Sequence, residues 1–154
     1  MLSEEEKKEV FAELEASEDP RAACVEALKI VQRSRGFVAD EAITDLAPIL
    51  GMTTDELDSV ATFYSFIFRK PVGRHAILIC DSVTCWIMGY EPLLHYLKER
   101  FHIGFGETSD DNRFTLLPVS CIGACDHAPA MIVDGKMYCD LNVEKLAEIL
   151  AGYE

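Results

Sequence analysis

The chain has 154 residues, of which 49% are hydrophobic and 27% charged, and its 14 Lys and Arg against 27 Asp and Glu give a formal net charge of −13. This apolar fraction supports a folded core, in one domain or in a small domain with an appendage, and excludes an intrinsically disordered chain. The negative charge disfavours nucleic acid and anionic lipid surfaces as partners and favours basic protein surfaces.

The first 70 residues have the pattern of amphipathic helices. Apolar residues recur at the i, i+3, i+4, i+7 spacing in three stripes, which begin at Cys24, Ile43 and Leu57. Ser3 with Glu6, and Thr53 with Glu56, have the spacing of capping boxes at helix starts. Pro48 lies inside the second stripe and is expected to kink that helix or end it early. The N-terminal part is therefore predicted to be helical.

Composition changes near residue 70, because seven of nine Gly, four of six Pro and five of six Cys follow it. Glycine and proline punctuate short elements and turns rather than long helices. We therefore predict a boundary in the segment from Lys70 to Gly73, with one domain over residues 1–72 and a second over residues 73–154.

After this boundary, strands alternate with helices. The predicted elements are, in chain order, a strand at 75–80, a helix at 92–101 whose start could extend back toward Cys85, a strand at 114–119, a hairpin with strands at 130–133 and 136–139, and a helix at 143–150. Asp134 and Gly135 have the signature of a type I′ hairpin turn, and Pro118 places its strand at a sheet edge. This order predicts an α+β fold in which helices cover a small sheet.

The cysteines indicate metal or redox chemistry. Residues Met1 to Glu6 lack the basic and apolar parts of a secretory signal, and no apolar stretch approaches the roughly 18 residues of a membrane span. We therefore expect a soluble, cytoplasmic protein without direct membrane insertion. Because such a compartment keeps thiols reduced, the six cysteines are not expected to form a disulfide framework.

Four cysteines form two closely spaced pairs. Cys80 and Cys85 make C-x4-C, and after 35 intervening residues Cys121 and Cys125 make C-x3-C. Each pair follows a predicted strand, so both pairs are expected on loops at one edge of the sheet, where four thiolates can converge. Gly123 allows the backbone to approach a cluster closely. Two pairs of thiolates suit two irons, which is the all-cysteine ligation of a [2Fe-2S] cluster.

Zinc is the main alternative, because a tetrahedral four-thiolate site uses the same ligands. Zinc-ribbon pairs usually have C-x2-C spacing and shorter intervening segments, so the spacing favours iron and sulfide over a structural zinc module for assembly. Four thiols without a metal, and a dithiol enzyme with a C-x-x-C motif, rank below both.

Other conspicuous residues receive ordinary structural interpretations. Cys24, on a core helical stripe, and Cys139, at a strand end, are expected to be small apolar fillers. His127 suggests Rieske-type ligation, but four cysteines already supply four ligands. Trp86 is expected either to shield the cluster from water or simply to pack against its neighbours. An aromatic cluster is expected to attach the helical part to the sheet or to a partner, and consists of Phe63, Tyr64, Phe66 and Phe68.

The chain contains no phosphate-binding glycine loop, nucleophile elbow or H-E-x-x-H motif. It therefore brings a redox centre without a substrate site, and no catalytic residue is assigned. A one-electron centre of this kind is expected in an electron carrier or in one component of a larger enzyme.

The segments around the cysteine pairs resemble the NuoE family, the small [2Fe-2S] subunit of respiratory NADH:quinone oxidoreductase, or complex I. The likeness extends over about residues 36–150, and the motifs that carry it are Cys80-Asp-Ser-Val-Thr-Cys85 with Gly89, Cys121-Ile-Gly-Ala-Cys125 with Ala128-Pro129, and Ala61-Thr-Phe-Tyr64. The resemblance implies a helical bundle followed by a thioredoxin-like ferredoxin domain. It also implies that the cluster ligands are Cys80, Cys85, Cys121 and Cys125.

The resemblance further implies partners. The first is a subunit that binds FMN and NADH, and the cluster exchanges an electron with its flavin. The others are further subunits of the peripheral arm of a membrane-bound complex. A second copy of the chain is the partner considered for the isolated protein. Related chains occur in NAD-linked hydrogenases and formate dehydrogenases, so the corresponding subunit of such an enzyme stays an alternative.

Overall fold

The computed structural model describes all residues from Met1 to Glu154. The chain divides into two compact units, Met1–Pro71 and Val72–Glu154, which we call the helical unit and the sheet unit. That residues 1–72 and 73–154 are two separate domains stays a prediction. No helix in either unit combines the length and the apolar character needed to cross a bilayer.

The helical unit contains four α-helices and one short 3-10 turn. They are α1 (Glu4–Ala16), the turn Pro20–Ala23, α2 (Cys24–Arg35), α3 (Asp40–Ile49) and α4 (Thr54–Phe63). Both predicted capping boxes are present, at Ser3 with Glu6 and at Thr53 with Glu56. Pro48 lies next to the last residue of α3, so the helix ends where proline was expected to end it.

The predicted apolar stripes form the core of the helical unit. One fully buried residue from each of four helices contributes, namely Val10, Leu28, Leu46 and Leu57. Burial of these side chains supplies most of the stability of such a bundle, since helix propensity alone does not hold short helices in water.

The sheet unit contains four strands and three α-helices. They are β1 (His75–Cys80), α5 (Val83–Ile87), α6 (Tyr90–Phe101), β2 (Phe114–Val119), a 3-10 turn (Cys125–His127), β3 (Met131–Val133), β4 (Lys136–Tyr138) and α7 (Val143–Ala151). The predicted α+β class is confirmed, and β1 and β2 have the predicted bounds. The hairpin strands are each one residue shorter than expected.

The strand order is β2-β1-β3-β4. The central strand β1 pairs in parallel with β2 and antiparallel with β3, and β3 pairs antiparallel with β4. Strand β2 is an edge strand, as Pro118 predicted. Asp134 and Gly135 both have positive φ, at 49° and 81°, which confirms the type I′ turn of the hairpin.

Helix α5 was not predicted. The sequence suggested one helix over 92–101 whose start could extend back toward Cys85, whereas the structure has two helices separated by Met88 and Gly89. Gly89 has a φ of 111°, a conformation that interrupts an α-helix and that glycine adopts without steric cost. Because α5 has only five residues and Ser82 makes no side-chain cap bond, local signals for it are weak.

Candidate metal centre

The parallel pairing of β1 and β2 brings the two cysteine pairs to one edge of the sheet. Cys80 is the last residue of β1 and is aligned with Val119, the last residue of β2. The Cys80 N–H donates to the Ala130 carbonyl at 3.1 Å, and the Asp81 N–H donates to the Val119 carbonyl at 3.1 Å. These bonds fix the direction in which the chain leaves β1, at the edge where Cys121 follows β2.

The first pair, Cys80 and Cys85, is buried. Cys85 lies on α5 rather than on a loop, and the turn of this helix directs its thiol inward. Burial raises the pKa of Cys85 to about 11, and the neighbouring Cys80 thiol adds to this effect. The thiol is therefore protonated at neutral pH without a metal, and a metal that binds here must displace that proton.

The second pair, Cys121 and Cys125, is exposed, and its two Sγ atoms lie 3.7 Å apart. Two thiolates at about 2.3 Å from one tetrahedral metal are roughly 3.8 Å apart, so this spacing suits shared ligation. The Gly123 N–H donates to Cys121 Sγ at 3.4 Å, and Gly123 has a φ of 82°. A left-handed glycine thus turns a backbone donor toward the sulfur.

The two pairs lie close enough to affect one another. The pKa of Cys125 is raised mainly by its hydrogen-bonded neighbour Cys121 and also by Cys80 from the other pair. The pKa of Cys85 is raised further by Cys125. Both cysteine pairs therefore lie at the same end of the sheet, and their joint ligation of one centre stays a prediction. The structure has no group of three or more His, Cys, Asp or Glu side chains arranged to hold a single metal ion.

Two further expectations concern the remaining cysteines. Cys24 is buried on α2, which confirms its interpretation as a core filler. Cys139 is only partly buried, so it is not a core residue. His127 Nδ1 lies 3.1 Å from Asp140 Oδ2, and this contact gives the imidazole a partner outside the sulfur site.

The expected environments of the aromatic residues also differ from the observed ones. Trp86 does not pack in the core, because it is exposed and its Nε1–H donates to Glu91 Oε1 at 3.3 Å. Phe63, Tyr64 and Phe66 are also exposed. The expectation that this aromatic cluster serves an attachment stays a prediction.

The chain is similar to one known family over nearly its whole length. A family model described as thioredoxin-like [2Fe-2S] ferredoxin matches residues 8–154. Proteins named as the E-type subunit of NADH-quinone oxidoreductase from Pseudomonas aeruginosa and Escherichia coli are each 47% identical over 153 residues, which is 99% of this chain and 92% of each relative. The protein of that name from Buchnera aphidicola (strain APS) is 44% identical, covering 99% of this chain and 94% of the relative.

A solved structure of NAD+-reducing [NiFe]-hydrogenase in the H2-reduced state is also similar. It superimposes with a TM-score of 0.69 and 25% sequence identity, over 84% of this chain and 22% of the hydrogenase chain. This chain thus matches about a fifth of that longer polypeptide.

Proposed function

This chain belongs to the thioredoxin-like [2Fe-2S] ferredoxin family, and we propose that it is the electron-transfer subunit of an NADH-quinone oxidoreductase, like the relatives that carry this name. The observation that carries the proposal is that two cysteine pairs lie at the aligned carboxyl ends of two parallel strands, the second pair with its Sγ atoms 3.7 Å apart. The relatives named as NADH-quinone oxidoreductase subunits match nearly the whole chain.

We assign the cluster to the four thiols of these two pairs. Cys80 and Cys85 would hold one iron, and Cys121 and Cys125 the other, since the thiols form two pairs and the second pair has the spacing of shared ligands. When bound, a [2Fe-2S] cluster accepts and returns one electron. The C-x4-C and C-x3-C motifs would thus supply all protein ligands of the cluster.

The chain's own groups support and tune this site. The buried pair Cys80 and Cys85 excludes water from one side. The Gly123 N–H, directed at Cys121 Sγ, stabilises negative charge on that sulfur and so favours a more positive reduction potential. The backbone hydrogen bonds from Cys80 to Ala130 and from Asp81 to Val119 hold the segment after β1 beside the segment after β2.

The proposed electron partner is a separate subunit that binds FMN and NADH, as the resemblance to the NuoE family implies. This chain itself has no nucleotide-binding motif. We place the chain in the peripheral arm of the complex, beside that flavin subunit and further peripheral-arm subunits. The names of the relatives, which combine NADH with a quinone, support an electron route that starts at NADH.

A second candidate is the corresponding domain of an NAD-linked hydrogenase, which the hydrogenase structure favours. Its 25% identity is lower than the 47% identity to the NADH-quinone oxidoreductase proteins. Purification of the native complex decides between them. NADH:quinone activity that co-purifies with the chain supports the main proposal, and hydrogen-dependent reduction of NAD+ supports the second.

The cluster assignment is tested on the anaerobically purified chain by iron, sulfide and zinc analysis together with EPR of the reduced protein. We expect two irons and two sulfides per chain and an S = 1/2 signal. Cys121→Ala should abolish the signal. Cys139→Ala is the matched control and should keep it, because Cys139 is also a free, solvent-accessible cysteine of the sheet unit.

Two outcomes would contradict the assignment. Stoichiometric zinc without sulfide would show that the cysteines form a structural zinc module. A signal that survives Cys121→Ala but disappears in Cys139→Ala would show that the ligand set is wrong.

A further inference from the structure

Helix α5 exposes a patch of large apolar side chains next to the candidate cluster. Val83, Trp86 and Ile87 have the i, i+3, i+4 spacing of one helix face and are 66%, 58% and 69% exposed. Met88, the next residue, is 58% exposed. Single exposed apolar residues are ordinary, but four within six positions form a contiguous surface of the kind that marks an interaction site. We call these four residues the α5 patch.

The central residue of the α5 patch is held in place. The Trp86 Nε1–H donates to Glu91 Oε1 at 3.3 Å, which ties the indole to α6 while its ring stays exposed. Tryptophan is among the residues that contribute most to protein interfaces. A side chain that is already ordered loses less conformational entropy when a partner covers it. Trp86 therefore has the properties of a docking anchor.

The surroundings of the α5 patch are acidic. Segments 81–97 and 119–133 contain no Lys or Arg, but they contain three acidic residues, namely Asp81, Glu91 and Asp126. Asp81 and Asp126 are exposed and directly follow Cys80 and Cys125, and Glu91 contacts Trp86. A second copy of this chain docked face to face would oppose these like charges, which is unfavourable.

We propose that the α5 patch is the docking surface for the electron-transfer partner of this chain, a protein whose apolar centre is surrounded by Lys and Arg. This inference rests on the proposed function, since it gives the partner of the same cluster. Cys85 and the α5 patch lie on opposite faces of one helix, whose diameter with side chains is about 10 Å. A partner on this patch therefore lies within about one helix diameter of Cys85, a proposed cluster ligand.

The inference is tested by binding of the full-length, cluster-containing chain to the NADH-oxidising flavoprotein subunit of the same organism, measured by calorimetry. Ile87→Glu and Val83→Glu should each raise the Kd about tenfold or more, because they place a charge in an apolar contact. Ile87→Lys should weaken binding more than Ile87→Glu, since it faces the partner's cations. Wild-type affinity should fall as salt is added.

Met137→Glu is the matched control. Met137 is an exposed methionine on β4 of the same unit, so this variant makes the same kind of change away from the α5 patch and should alter the Kd less than about twofold. EPR and circular dichroism of every variant report whether the cluster and the fold are retained.

The outcomes separate the two proposals. Wild-type chain that carries the cluster but does not bind the flavoprotein subunit, or binds it equally well after Ile87→Glu and Val83→Glu, overturns the docking inference alone. Self-association of the wild type that Ile87→Glu abolishes also overturns it in favour of a second copy. Binding that depends on the α5 patch in a zinc-containing chain without sulfide supports the docking inference and refutes the proposed function.

Discussion

Replacing Glu6 by glutamine should destabilise the helical unit in a strongly pH-dependent way. Glu6 is a charged residue that is only 3% exposed. Its carboxylate accepts two hydrogen bonds from Arg35, at 2.7 Å from Nε and 2.6 Å from Nη2, and a third from the Ser3 N–H at 2.7 Å. This geometry joins the start of α1 to the end of α2.

The expected magnitude follows from the pKa of Glu6. Hydrogen bonding to Arg35 lowers the pKa of Glu6 from 4.5 to about 2, although burial opposes this effect. If the pKa of Glu6 is 4.5 in the unfolded chain and about 2 in the folded chain, this difference corresponds to about 3 kcal/mol of stabilisation at neutral pH. Arg35 is 28% exposed, and solvent screens the pair, so we expect Glu6→Gln to cost about 2 kcal/mol.

The sign of the pH dependence is set by the lowered pKa. The contribution of Glu6 is fully present above pH 4.5, the ordinary pKa, and disappears as the pH falls toward about 2. The free energies of unfolding of wild type and Glu6→Gln should therefore converge in acid. Urea unfolding followed by circular dichroism, from about pH 7 to about pH 2.5, measures this difference.

Glu9→Gln is the control, because Glu9 lies on the same helix and pairs with Arg33, but both side chains are exposed. It should change stability by less than about 0.5 kcal/mol at any pH. A loss below about 0.5 kcal/mol for Glu6→Gln at neutral pH, or a loss that stays constant down to about pH 2.5, would refute this account of the ion pair.

Two further predictions concern the sheet unit. Phe114→Ala should lower the free energy of unfolding by about 3–5 kcal/mol in urea titrations. The Phe114 ring is fully buried and packs edge-on against Phe101, with the ring centroids 4.8 Å apart. A loss below about 1 kcal/mol would contradict this packing. Gly123→Ala should cost about 1–2 kcal/mol, because its φ of 82° strains any side chain although no atom within 4 Å would clash. Iron should then be lost faster to a chelator than from wild type, and an unchanged rate would show that the Gly123 turn does not support the site.

Much of the chain's local structure was predictable from short-range signals. The bounds of β1 and β2, the two capping boxes and the hairpin turn at Asp134 and Gly135 were all predicted correctly. Each depends on residues a few positions apart, through side-chain periodicity, cap hydrogen bonds or the φ that a turn requires.

For the site, the sequence predicted which residues take part and at which edge of the sheet they lie, but not how each thiol is placed. The C-x4-C and C-x3-C motifs, with each pair after a strand, indicated four converging thiols. That the thiols form two pairs, one buried and one exposed, depends on the parallel alignment of Cys80 with Val119 and on the unpredicted helix that carries Cys85. A five-residue helix has too few local hydrogen bonds to be specified by its own sequence.

Burial was the property that the sequence determined least. Cys139 was expected to be a small apolar filler, yet it is only partly buried. Trp86 is exposed, and its role as a cluster shield stays a prediction, whereas the acidic Glu6 is buried. Composition and periodicity determined which elements form and which chemistry the cysteines carry, because these depend on neighbouring residues. The exposure of each side chain depends on segments distant in sequence that pack against it, and only the tertiary structure decides which segments those are.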